Sequence, residues 1–304
     1  MSQPKITRRL VLAGAALALP LSGTAVARTD EDARFNAFLD EAFDRRIAMS
    51  PESMTSLGMK TDYDRLDSYT DAFETAQLAL AVGQLKRMKA GFDRGRLSPA
   101  SQLSWTLFEQ QVERQQEGHR WRFHNYIATT QSSPAGQFPV FLINQHRVDS
   151  VEDARAYVSR LREVKRAMGE IAANIREAAG RGIVAPEFTF APIEADARKV
   201  ISGAPFGDGP DSALWADFKA KVGKLAAGEA EKAALLDEGR AALTGDFRAG
   251  YETFIATQAE VRKLARGANG AWSLPDGQAY YAYRLKVSTT TDLTADQIHQ
   301  TGLD

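Results

Sequence analysis

No cysteine occurs among the 304 residues. Disulfides, thiolate catalysis and Cys-ligated zinc are excluded at once, and so is a lipid anchor on a cysteine just after a signal. Histidine is scarce, with four in all: His119, His124, His146 and His299. His119 and His124 lie five apart, about 140° around a helix, whereas zinc ligands at i and i+4 share one face. They read as basic groups at a helix C-terminus. His146 stands alone after an apolar segment, where it either lines a cleft or holds structure. Neither charge sign dominates, with 38 Lys and Arg against 39 Asp and Glu. Binding nucleic acid means neutralising phosphates, so this balance excludes it as a partner, and the basic-aromatic run from His119 to His124 does not reverse that. A phosphate loop and a Gly-x-Ser-x-Gly elbow are both missing, and the run from Gly207 to Asp211 does not continue into a dinucleotide fingerprint. Asp62, Asp64 and Asp67 do not complete a calcium loop, because Leu66 stands where a further oxygen ligand is needed.

Long hydrophobic runs are missing too. The apolar stretch from Leu10 to Leu21 covers 12 positions, against about 20 for a membrane-spanning helix. It follows Lys5, Arg8 and Arg9 and precedes small residues at Ala25 and Ala27. That succession predicts a signal peptide over residues 1–27, of twin-arginine type because Arg8 and Arg9 are adjacent. The expected location is periplasmic or secreted, with no membrane anchor after cleavage. Cleavage would take away three basic residues and no acidic one, leaving 35 basic against 39 acidic.

What remains has the 3.6-residue period of helices almost throughout. A stripe of Phe35, Phe38, Leu39, Ala42, Phe43 and Ile47 predicts a helix over 31–49, and Ser50 with Pro51 starts a short one. Residues 58–71 read as a loop. Leu78, Val82, Leu85, Met88 and Phe92 mark the next helix. Ser98 and Pro99 open another, to about His124, with Leu103, Leu107 and Val112 inside. Residues 125–149 read as irregular, because Pro134, Gly136 and Pro139 interrupt the apolar run from Phe138 to Ile143.

The longest seam runs from Val151 to Ala179 through Leu161, Val164, Met168 and Ile171, and Gly180 and Gly182 stop it. A short helix near Pro192 leads to a linker over 202–212. Helices over 213–225 and 229–265 follow, the second with Leu236, Leu243, Phe247, Tyr251 and Leu264 inward. The one candidate strand is Lys286 to Thr291. Thr294 and Gln297 form a capping box for a last helix with nothing after it to cover Ile298 and Leu303. The expected architecture is therefore mainly α, an elongated multi-helix body over 28–304, continuing past residue 304.

The stretches from Phe43 to Leu66 and from Tyr280 to Asp304 resemble the bacterial domain-of-unknown-function 885 proteins, chains of about twice this length. The resemblance implies a zincin-like helical metallopeptidase fold split by a deep groove, of which this chain forms the N-terminal, groove-wall part. The family's His-Glu and Pro-Gly-His-His metal motif has no counterpart here, so the resemblance carries over no catalytic or metal residue. It implies zinc for a full-length parent and none in this fragment, a peptide substrate, and a C-terminal half of the same protein as partner. The fragment alone is expected to be inactive. Tyr280, Tyr281, Arg284 and His299 are the groove candidates, with Thr289, Thr290 and Thr291 beside them. The competing reading is a non-enzymatic helical periplasmic binding or scaffolding protein, using the surface from Phe138 to Ile143.

Overall fold

A computed structural model describes residues 29–267 and 269–304. The signal segment with Arg8, Arg9, Ala25 and Ala27 lies outside them. The described residues are helical, and their only β feature is a single bridge between Ala204 and Asp211.

Three helices build the first layer: α1 (Thr29–Ile47), α3 (Asp71–Gly91) and α4 (Pro99–His119). Phe35 and Phe38 of α1 bury against Leu85 and Met88 of α3 and Trp105 and Phe108 of α4. The hydroxyls of Thr70 and Ser98 cap α3 and α4, as Ser50 caps the short α2 (Pro51–Ser56). One expectation fails here. Leu103 and Leu107 face solvent, 60% and 50% exposed, while Ser101, Trp105, Phe108 and Val112 turn inward. The helix presents its aromatics to the core, and the leucine positions fall on the opposite side. The chain leaves helical geometry after His119, short of His124, and passes into turns.

The second layer is organised by α6 (Val151–Gly180), which buries Tyr157, Leu161, Val164, Met168 and Ile171. Its start is a capping box of Ser150 and Asp153, and its end is marked by Gly182 at a φ of 80°. Residues 58–70 form the expected loop, whose end runs along α6 and is held by side chains rather than by secondary structure. Arg160 donates to the carbonyl of Arg65, Arg166 to those of Leu66 and Asp67, and Asn174 to that of Tyr69, while Glu170 accepts from the Tyr69 N–H. Asp67 serves α2, accepting from the Ser50 hydroxyl and the Glu52 N–H.

Against α6 pack α9 (Glu229–Ala242) and α10 (Arg248–Arg262), while α7 (Phe190–Val200) lies on α10 and α8 (Ala213–Gly223) lies on α9, its Phe218 ring stacked on Tyr157 of α6. Together α9 and α10 form the continuous rod expected over 229–265, through a π-helical turn at Leu243–Phe247. That turn puts Leu243, Phe247 and Tyr251 all in the core. Leu235 is buried where Leu236 was expected, and Leu264 is 54% exposed because α10 ends two residues before it. Gly250 permits a backbone-to-backbone crossing, since a Cβ there would stand 2.9 Å from the Val164 carbonyl oxygen. The 202–212 segment is the expected surface linker, anchored where Phe206 packs near Phe247.

Residues 134–144 are not irregular. They form α5 (Pro134–Asn144), with Pro139 inside it. Phe138, Pro139 and Leu142 are buried, so the proposed partner surface from Phe138 to Ile143 belongs to the core, with Val140 alone fully turned outward. Two distant side chains make this helix possible. The Tyr251 hydroxyl donates to the Ala135 carbonyl, and Lys221 Nζ donates to the carbonyls of Leu142 and Ile143.

The candidate strand over 286–291 is also corrected. Residues 277–289 form α11 (Gly277–Thr289), which Thr290 ends at a φ of 57°. Helix start and docking outweigh the β-branched residues: Tyr280 buries against Trp121, and no partner strand exists among the described residues. The final α12 (Ala295–Leu303) has the expected capping box of Thr294 and Gln297 and buries none of its residues.

Candidate functional site

A cleft of about 860 Å³ opens between α3, α4 and α11, closed at one end by the last turn of α1. Its lining includes apolar groups at Leu78, Ala81 and Leu107 and the amides of Gln77, Gln110, Gln111 and Gln115. Charge enters from Arg46, Glu74, Arg114 and Arg122. Gly118 shapes the junction with α11, because a Cβ there would lie 2.6 Å from the Tyr283 hydroxyl oxygen. A larger residue at that position would require the Tyr283 hydroxyl to shift.

The charged groups differ in commitment. Arg122 is satisfied, donating from Nε to Asp71 at 2.5 Å and from a terminal nitrogen to the His119 carbonyl. That hydrogen bond holds the Asp71 carboxyl below its usual value. Glu74 lies 3.9 Å from the His119 ring. Arg46 stacks over Phe108 at 5.8 Å, and its buried Nε–H has no partner. Burial lowers the pKa of this guanidinium.

The sequence candidates divide at the edge of this cleft. Tyr280 and Arg284 converge on Asn125, donating to its Oδ1 at 2.8 and 3.3 Å, and Asn125 itself lines the cleft. Tyr280 is nonetheless buried, packed between Trp121 and His124. Tyr281 is half exposed and His299 sits exposed on α12; neither lines the cleft. Thr289 and Thr291 share a hydroxyl hydrogen bond at the end of α11. Sequence reasoning missed Arg46 and Arg114, and the available signal was the glutamine-rich face of α4 around Arg114.

The histidines are placed separately. His124 Nε2 meets the Pro275 carbonyl at 2.9 Å. A carbonyl only accepts, so Nε2 carries the proton. His146 is buried and lines no cleft. Its Nδ1 must accept from Arg160 at 2.8 Å, because a guanidinium only donates, and its Nε2–H then donates to the Asp153 carbonyl at 3.0 Å. Arg160 is wholly buried and also donates to Thr55 and the Pro51 carbonyl, between the rings of Tyr63 and Phe141. Its hydrogen-bond partners include no carboxylate; Glu52, Asp64 and Asp67 compensate it at longer range. Among the described residues, no three His, Asp or Glu side chains gather as a metal site requires. They do not fit a zinc ion.

Residues 51–304 match a family described as "Bacterial protein of unknown function (DUF885)". A solved chain described as "the putative lipoprotein from Colwellia psychrerythraea" shares the fold, with a TM-score of 0.76 at 16% identity. The alignment covers 90% of this chain and 48% of that one, so this chain spans about half the length of that protein. No curated protein matches the chain.

Proposed function

Because the chain belongs to the bacterial DUF885 family, we propose that it forms the N-terminal groove wall of an exported, zinc-dependent, metallopeptidase-like hydrolase that acts on peptides. The observation that carries this reading is the open cleft against α11, followed by a helix, α12, that buries nothing. A wall and an uncovered helix suit a larger body in which a second half faces the cleft. The half-length alignment with the longer solved chain supports the same division. Zinc would be held by that second half, which is this chain's expected partner. Tyr280 and Arg284 would act indirectly, by fixing Asn125 at the cleft edge.

Export rests on the basic, apolar and small-residue succession of residues 1–27, and the match to a lipoprotein-like chain agrees with a place outside the cytoplasm. No helix among the described residues is long and apolar enough to cross a membrane. The test compares residues 28–304 with the same chain joined to a downstream second half. Zinc content and hydrolysis of a mixed peptide pool are measured on both. Zinc and activity only in the longer protein support the reading. About one zinc per chain in residues 28–304, lost on His119→Ala, would overturn it, as would an inactive, zinc-free longer protein.

A further inference from the structure

The geometry points to the cleft between α3, α4 and α11 as a binding site for a carboxylate group, held by the guanidiniums of Arg46 and Arg114. This concerns binding by the chain itself and does not rest on the hydrolase reading. Arg122 is taken by Asp71, but no side-chain hydrogen bond or ion pair within the described residues engages Arg46 or Arg114. The Arg46 Nε–H is buried out of reach of the cleft, so a ligand there would meet the terminal nitrogens of this guanidinium. A carboxylate suits them, since its two oxygens match the guanidinium fork. The Arg46 guanidinium carbon lies 5.8 Å from the centre of the Phe108 ring, within cation–π range.

The rest of the lining narrows the ligand. Glu74 lowers the net positive charge, which favours a singly charged group over a doubly charged phosphate. Four glutamine amides, each able to donate and accept, suit a ligand that carries amides or hydroxyls besides its carboxylate. The volume of about 860 Å³ exceeds a lone anion and lies in the range of small-molecule and short-peptide sites. The carboxylate can come from an acidic side chain of a peptide or from a free small acid.

Titration calorimetry on residues 28–304 at low salt separates these sources. The probes are an N-acetylated, C-amidated tetrapeptide with one Glu, the same peptide with Gln instead, and glutarate. The Glu peptide should bind about tenfold more tightly than its Gln counterpart, with Arg46→Gln and Arg114→Gln each weakening it about tenfold. Glu74→Gln should tighten it. Glutarate binding as well as the Glu peptide assigns the site to free acids; weaker glutarate binding assigns it to peptides. Equal binding of the Glu and Gln peptides, or no binding by any probe, overturns the proposal. So does unchanged affinity in Arg46→Gln with unaltered circular dichroism and melting. Should Arg46→Gln fail to fold, Arg114→Gln on the exposed face of α4 carries the same test.

Discussion

The hydroxyl of Tyr251 stands 2.6 Å from the carbonyl oxygen of Ala135, and that oxygen is the one Pro139 leaves without a helical donor. In an α-helix the N–H of residue 139 would bond to the carbonyl of residue 135, and proline has no N–H. A side chain from α10 thus supplies the hydrogen bond that α5 cannot make.

Tyr251→Phe keeps the ring and removes only that donor, leaving a buried carbonyl unsatisfied. The expected loss is about 1–3 kcal/mol in chemical denaturation. Pro139→Ala restores a backbone donor, so in that background Tyr251→Phe should cost clearly less. Equal costs in the two backgrounds would mean that the tyrosine and the proline are not coupled.

The His146–Arg160 contact makes stability depend on pH. Burial first, and the neighbouring Arg160 charge second, lower the His146 pKa from 6.5 to about 3. Between those values the unfolded chain binds a proton that the folded chain refuses. This contribution to stability is complete above pH 6.5 and declines as the pH falls towards 3, by up to about 1.4 kcal/mol per pH unit. Glu52, raised by burial, works in the opposite sense. His146→Gln retains an acceptor for Arg160 and removes the titration. Denaturation at pH 7 and pH 5 should show a smaller difference in the variant than in the parent; an equal difference places the acid sensitivity elsewhere.

Export offers a prediction independent of the folded body. Changing Arg8 and Arg9 together to Lys should leave uncleaved precursor in the cytoplasm, whereas the parent should be cut after Ala27. Fractionation and N-terminal sequencing read this directly. Normal maturation of the double variant would indicate an ordinary secretory route.

Helices whose signals are local were legible in the sequence. The seam from Val151 through Ile171 has a single period, and the caps at Ser50, Ser98 and Thr294 depend on residues within one turn. α5 was not legible, because the groups that complete it, Tyr251 and Lys221, lie far along the chain. Leu103 and Leu107 misled for a related reason: hydropathy cannot choose between an aromatic face and a leucine face when the partner helices are unknown. The Tyr280 and Arg284 positions came from the family resemblance and do meet at one residue. The cleft beside them was hidden, since its guanidiniums sit on α1 and α4, elements with no sequence feature linking them.

The course of residues 65–69 along α6 has a consequence for how the chain tolerates change. Arg160, Arg166, Glu170 and Asn174 grip successive peptide groups from Arg65 to Tyr69, so the helix acts as a ruler with graduations set by its own rise. A ruler allows substitutions between its marks but not a change in length. One residue inserted between Arg65 and Tyr69 would put every later peptide group against the wrong side chain, and would pull Asp67 away from the start of α2. This stretch has no regular secondary structure, yet its length is as strictly specified as that of a strand in a sheet.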